Sequence, residues 1–146
     1  DVRLKSANLY GNNLKEVETE PLSHSASKLT YLDISNTNIS HSVTSSLLQH
    51  LSDIGDNSHL RHLVLAGIPL TRIPAPLVTS AMTRLEKLDL SNCGLSWEQL
   101  EVILDAVRPP APLRQLSLFN VDLENVDKEV LARANSHAFI NHRYHI

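Results

Sequence analysis

The feature that most constrains this chain is a leucine spacing that recurs along almost its whole length. One clear copy reads Leu85-x-x-Leu88-x-Leu90-x-x-Cys93-x-Leu95, where x is any residue. Five copies fit this spacing, with other apolar residues at some of the leucine positions, and chance does not place one spacing five times in 146 residues. They begin at Leu4, Leu29, Leu60, Leu85 and Leu113. The chain is therefore predicted to be a repeat protein.

Each copy predicts a short strand followed by a helical segment. The L-x-L pair alternates with period two, which is typical of a strand with one buried face. Ser96 and Gln99 have the spacing of a capping box, which predicts the start of a helix. The segments that contain Pro21 and Pro74 predict only short helical turns. Helical spacing after the second copy is seen at Val43, Leu47, Leu51 and Ile54.

The end of the chain predicts a further helix and a sixth strand. Val126, Val130 and Ala134 have the spacing of a helix of about two turns, with Asp127 as its cap. A degenerate sixth strand is predicted near residues 139–144, with Phe139, His142 and Tyr144 at the leucine positions. Because one strand–helix unit cannot bury its own apolar face, the units are expected to stack into one continuous core.

This pattern resembles leucine-rich repeat proteins. Shorter and longer units alternate, and the pair from Leu4 to Leu60 spans 56 residues, an average of 28 per unit, which is similar to the ribonuclease-inhibitor-like subclass. The resemblance implies an α/β solenoid, a curved right-handed superhelix with short parallel strands on its concave side and helices and turns on its convex side. The ninth repeat position is usually asparagine, threonine or cysteine, as in Asn12, Thr37 and Cys93. Ile68 and Val121 depart from this, so their turns are expected to lack the usual side-chain hydrogen bond.

We interpret residues 1–146 as a single leucine-rich-repeat domain that belongs to a longer protein. Terminal repeats of solenoids normally carry a polar outer face. Neither Val2 and Leu4 at the start nor Phe139 and Tyr144 at the end is polar in this way. Since an exposed sheet edge can pair with another chain, a chain–chain contact at one open end is a further expectation.

Composition argues against several classes of function. The net charge of −3 offers no basic field for nucleic acid, and no apolar run is long enough for a membrane span. The single cysteine, Cys93, cannot form an internal disulfide, which favours a cytoplasmic or nuclear protein. We find no nucleotide-binding or nucleophile motif and no histidine or cysteine cluster with ligand spacing, so neither a cofactor nor a metal is predicted.

The candidate site is the side of the sheet turned away from the helices, called the strand face below. Side chains between the inner leucines point to this face because successive residues of a strand point to opposite sides. The predicted face is polar and carries both charges, and it includes aromatic residues of the kind that anchor protein partners. The candidate binding residues are Asn8, Tyr10, Tyr31, Asp33, Asn36, Arg61, His62, Lys87, Asp89, Asn92, Arg114 and Phe119.

The resemblance implies a recognition scaffold, so the leading hypothesis is a non-enzymatic module that binds a protein or peptide on the strand face. One alternative is a catalytic regulator such as the GTPase-activating proteins built on similar repeats. Its catalytic loop would be the insertion at residues 53–59, which has no arginine, although Arg61 follows on the strand. Another alternative is a structural spacer within a longer solenoid.

Overall fold

A computed structural model describes residues 5–142, and within them six parallel strands form one open sheet in chain order. The strands are β1 (Ser6–Asn8), β2 (Tyr31–Asp33), β3 (His62–Val64), β4 (Lys87–Asp89), β5 (Gln115–Ser117) and β6 (Phe139–Asn141). Each strand is three residues long, and its central residue lies beside the central residue of the next strand. The predicted α/β repeat fold is therefore confirmed.

Helices connect successive strands within the described residues. They are α1 (Thr19–Lys28), α2 (His41–Ile54), α3 (Ala75–Ala81), α4 (Trp97–Asp105) and α5 (Lys128–His137), and a 3-10 turn spans Gly55–Asn57. Ser96 and Gln99 form the predicted capping box at the start of α4. Asp127 accepts the Glu129 backbone N–H and caps α5, also as predicted. No helix in this part of the chain is long and apolar enough to cross a membrane.

The repeat leucines form the core between the sheet and the helices. Leu60, Leu63 and Leu65 have no exposed surface, and the same positions in the next repeat, Leu85, Leu88 and Leu90, are also buried. The predicted helix face is buried at Val43, Leu47 and Leu51, while Ile54 is half-buried. Because every strand adds one such layer, the core is continuous along the stack.

Each of the first five strands is followed by a turn that requires a left-handed residue. The five such residues occupy equivalent positions and have φ between 52° and 78°. They are Gly11, Asn36, Gly67, Asn92 and Asn120. Glycine and asparagine adopt this conformation at the lowest cost. The turns at Ile68 and Val121 therefore keep the repeat geometry although the ninth position is apolar, because the residue before each is left-handed.

The side chains at the ninth position stabilise the other three turns. Asn12 donates to the Leu9 carbonyl at 3.1 Å, and Thr37 donates to the Ile34 carbonyl at 2.8 Å. The Cys93 thiol reaches across to the previous repeat and donates to the Leu65 carbonyl at 3.1 Å. In the turn at Ile68 this same Leu65 carbonyl also accepts the Ile68 backbone N–H at 3.1 Å, since the Ile68 side chain has no donor.

Three local predictions were wrong. The sixth strand lies in a different register, because Ile140, not His142, pairs with the core residue Leu116 and is 4% exposed. Phe139 is then 64% exposed on the strand face instead of buried. Tyr144, which was predicted to take the third leucine position of this strand, lies outside the described residues, as do Val2 and Leu4.

The other two errors concern helix length. Helix α1 has ten residues where a short turn was predicted, because Pro21 lies in its first turn, where a missing N–H costs nothing. Helix α5 also has ten residues, about one turn more than predicted, because it continues past Ala134 to His137.

The turn glycines give a test of the fold. Gly67 needs its positive φ of 78°, and the Asn36 side chain of the previous turn fills the space where a Cβ would lie. We expect Gly67→Ala to lower the free energy of unfolding by more than the roughly 1–2 kcal/mol that the left-handed conformation alone costs.

Gly11→Ala is the matched control, because Gly11 also has a positive φ but nothing lies within 4 Å of the added Cβ. Urea denaturation of both variants measures the difference. Equal losses in the two variants would show that the Asn36 side chain does not occupy this space.

Candidate functional site

The strand face consists of in-register rows of side chains that run across all six strands. The first row comes from the first residue of each strand: Ser6, Tyr31, His62, Lys87, Gln115 and Phe139. The second row comes from the third residue: Asn8, Asp33, Val64, Asp89, Ser117 and Asn141. Adjacent members of a row are about 4.8 Å apart, the spacing of neighbouring strands.

An aromatic pair lies at the centre of the first row. The rings of Tyr31 and His62 meet edge to face, with centroids 4.8 Å apart and planes at 78°. Lys87 follows His62 on the next strand, and all three side chains are half-buried. The structure therefore brings together three of the predicted binding residues, which are separated by 56 positions of sequence from Tyr31 to Lys87.

The two aspartates of the second row, Asp33 and Asp89, have a structural role that was not predicted from the sequence. Asp33 accepts the Ser35 backbone N–H at 2.8 Å, and Asp89 accepts the Ser91 backbone N–H at 2.9 Å. Asn8 makes the same bond to Tyr10. These bonds fix the backbone where the chain leaves β1, β2 and β4.

Asp33 was predicted to be exposed, and this was wrong. It is only 9% exposed, because one oxygen is bonded to the backbone and the other lies 3.4 Å from the Tyr31 hydroxyl, which donates to it. Asp89 is half-buried and retains more contact with solvent. Of the two carboxylates, Asp89 is the better placed to meet a partner.

A third row comes from the residue two positions after each of the strands β1 to β5, and in it the aromatics Tyr10 and Phe119 follow β1 and β5. Tyr10 is 59% exposed and Phe119 is half-buried, while Ser35 and Ser91 between them are buried. The Ser91 hydroxyl accepts the Phe119 N–H at 2.9 Å, so this serine stabilises the backbone of the neighbouring repeat. Neither serine is therefore accessible on the strand face.

Asn36 and Asn92 are exposed, as predicted, but they occupy the left-handed turns. Their conformation gives both asparagines a structural role that the sequence analysis did not assign. The groove beside the first of these turns is lined mainly by amide side chains and glycines, including Asn12, Asn13 and Gly67.

The two candidate arginines, Arg61 and Arg114, come directly before strands β3 and β5. Arg61 is half-buried, and its guanidinium donates to the carbonyls of Ser58 and Leu60 at 2.8 and 3.0 Å. Arg114 is exposed, and its Nε lies 3.6 Å from Oε1 of Glu86, the residue just before β4. Arg114 is thus the freer of the two to reach a partner, whereas Arg61 is held against its own backbone.

Phe139 is the strand-face residue that the sequence analysis assigned to the core. It extends the first row beside Gln115 and is the most exposed large apolar side chain among the described residues. The signal that identifies its position is His137-x-x-Ile140-x-His142, in which Ile140 takes the second leucine position. Val64 was likewise missed as a binding candidate, although it is a half-buried apolar residue between Asp33 and Asp89.

The environment shifts the pKa of three groups. Burial and then the charge of Lys87 lower the pKa of His62, although Asp89 and Asp33 oppose the shift. Burial, the charge of Asp33 and its hydrogen bond raise the pKa of Tyr31. Burial raises the pKa of the Cys93 thiol to about 12, so it is protonated and unreactive at neutral pH.

A comparison with protein families finds a match that covers most of the chain. Residues 19–139 match the PRAME C-terminal domain. The chain belongs to this family. PRAME C-terminal domains are related to leucine-rich repeat proteins, which agrees with the parallel sheet and alternating helices. No curated protein is a significant match to the chain.

Family membership and fold together support a repeat protein of the interaction type. The ribonuclease-inhibitor-like subclass stays a prediction. Among residues 5–142, no three or more histidine, cysteine, aspartate or glutamate side chains are grouped so that they could hold a metal ion.

The lowered pKa of His62 predicts a pH dependence of stability. The unfolded chain, with a histidine pKa near 6.5, binds more protons than the folded chain as the pH falls through this value. Protonation therefore destabilises the fold, and His62→Gln should lose less stability than the parent between pH 7.5 and 5.5.

Urea denaturation at the two pH values measures this difference, and an NMR titration of the His62 ring gives its pKa directly. A His62 pKa above 6.5, or equal losses of stability in parent and variant, would contradict the assignment.

Proposed function

We propose that this chain is a non-enzymatic module that binds a protein or peptide partner on its strand face. The observation that carries the proposal is the ordered row of Tyr31, His62 and Lys87 at the centre of this face. Exposed aromatics, Tyr10 and Phe139, lie towards its opposite edges.

The arrangement has the composition of a protein-binding surface. Aromatic side chains with restricted rotamers provide contact area at a low entropic cost, and they are enriched among residues that dominate binding energies. Tyr31 is held by His62 and Asp33, so its orientation is set before a partner arrives. Lys87, Asp89 and Arg114 supply charges that select the partner and fix its register.

Two features support the non-enzymatic part of the proposal. The Cys93 thiol is buried and protonated. The insertion at residues 53–59, considered above as a catalytic loop, contains the end of α2 and the 3-10 turn, and the nearby Arg61 is bonded to backbone carbonyls. No feature of the described residues favours the GTPase-activating alternative or the structural spacer.

The proposal also includes the repeat subclass, the cellular location and a contact between chains. The ribonuclease-inhibitor-like subclass is supported by three-residue strands that alternate with α-helices of seven to fourteen residues. A cytoplasmic or nuclear location is supported by a lone cysteine that is buried in the core. A chain–chain contact at an open sheet edge is supported by Phe139, which is exposed on β6.

A pair of triple variants tests the binding face. Tyr10→Ala, Lys87→Ala and Phe139→Ala together remove two aromatics and one cation from the strand face. Trp97→Ala, Val102→Ala and Lys128→Ala together remove a similar set from the exposed parts of α4 and α5.

Partners captured by the parent chain are identified by mass spectrometry, and their affinities for the three proteins are then measured by biolayer interferometry. We expect the strand-face variant to bind at least about tenfold more weakly, a loss of about 1.4 kcal/mol, and the helix variant to bind like the parent. A loss confined to the helix variant would overturn the proposal.

A further inference from the structure

A second surface feature lies away from the strand face, where α3 and α4 lead back into the strands β4 and β5. It is a groove of about 410 Å³. Met82, Pro110 and Pro112 contribute apolar lining, in which Met82 is buried and the two prolines are exposed. Its charged lining residues are two arginines, Arg84 and Arg108, and one acid, Asp56. A mainly apolar groove with a few polar groups is typical of ligand sites.

Arg84 is incompletely satisfied by its own chain. Its Nε is buried and makes no hydrogen bond with any described residue. The nearest acid is Asp56, whose Oδ1 lies 3.8 Å from this nitrogen. Both side chains reach solvent, with 41% of Arg84 and 93% of Asp56 exposed, so the ion pair contributes little stability. Because Nε is closed to solvent, the donors that a ligand could use are those of the two terminal guanidinium nitrogens, which form no hydrogen bond with any described residue.

Arg108 lines the same groove, in a segment that backbone hydrogen bonds close into a turn. Its backbone N–H donates to the Ala106 carbonyl, and its own carbonyl accepts the Ala111 N–H, both at 3.0 Å. The next repeat also holds this segment, because the His137 ring bonds to the Ala111 carbonyl at 2.8 Å. Among the described residues, no hydrogen bond or ion pair is formed by the Arg108 side chain, which is exposed.

We propose that this groove binds an acidic side chain of a partner peptide, with a neighbouring apolar residue of that peptide against Met82 and the prolines. Arginine is suited to this task because its planar guanidinium pairs with a carboxylate through two parallel N–H···O bonds. The excess of one positive charge among the lining residues favours an anionic group over a cationic one. The site is separate from the strand face and does not depend on binding there.

Asp56 makes the proposal more specific. Among the described residues that line the groove, Asp56 is the one acid, so its carboxylate competes with an incoming carboxylate and repels it. If the groove accepts acidic groups, then removing this charge should strengthen binding. A surface that carries these two arginines without binding acidic groups would show no such gain.

The test uses an array of acetylated pentapeptides with glutamate at the centre and every pairing of leucine, isoleucine, phenylalanine, methionine and proline beside it. A matched array carries glutamine at the centre. The best binder is then titrated into ¹⁵N-labelled protein, with inorganic phosphate as a separate probe. The variants are Arg84→Gln with Arg108→Gln, Asp56→Asn, and the control Arg72→Gln, an exposed arginine outside this groove.

We expect saturable amide shifts at Thr83, Arg84 and Ala111, with at least fivefold weaker binding of the glutamine peptide. The double arginine variant should lose these shifts, Asp56→Asn should bind at least twofold more tightly, and Arg72→Gln should bind like the parent. Circular dichroism confirms that each variant is folded.

Three outcomes would overturn the proposal: no glutamate peptide shifts the groove, the double variant binds like the parent, or the glutamine peptide binds equally well. Phosphate that reproduces the shifts at the same affinity would also overturn it, since the groove would then bind a free anion and not an acidic peptide.

Discussion

The parallel ladder of three-residue strands determines the positions of all other parts of this molecule. Strands β2 to β6 each place one leucine or isoleucine in the core, and β1 packs Ala7 against it. The residues on either side of this central residue lie on the strand face. Because the period of a strand is two, a slip of one residue would exchange the buried and exposed sets. The same register that buries Leu63 and Leu88 therefore brings His62 beside Lys87.

The turns that end the strands maintain this register. Left-handed residues at equivalent positions redirect the chain, and side chains such as Asp33, Asp89 and Thr37 bond to the backbone around them. The polar residues that look most like binding candidates in the sequence thus include several that stabilise the repeat. The strand face that remains for a partner is smaller and more aromatic than composition alone suggests.

The sequence predicts the fold well because leucine spacing encodes both strand position and register. The prediction fails at the end of the chain, where the spacing is degenerate. There His137 and His142 replace leucines on either side of Ile140. Phe139 was therefore predicted to be the first apolar residue of the sixth repeat. Exposure of polar side chains was predicted less well. The burial of Asp33 and Ser91 depends on hydrogen bonds to backbone groups, one of them from the neighbouring repeat, and periodicity does not reveal such bonds.

The most direct test of the central claim is site-specific photo-crosslinking to a partner. Benzoylphenylalanine placed at Tyr10 or Phe139 reports on the strand face, and the same group at Trp97 reports on the exposed start of α4. All three positions already carry exposed aromatic rings, so the substitutions are conservative. The account predicts crosslinked partner from Tyr10 or Phe139 and none from Trp97. Crosslinking from Trp97 alone would show that the partner binds the helices and would contradict the account.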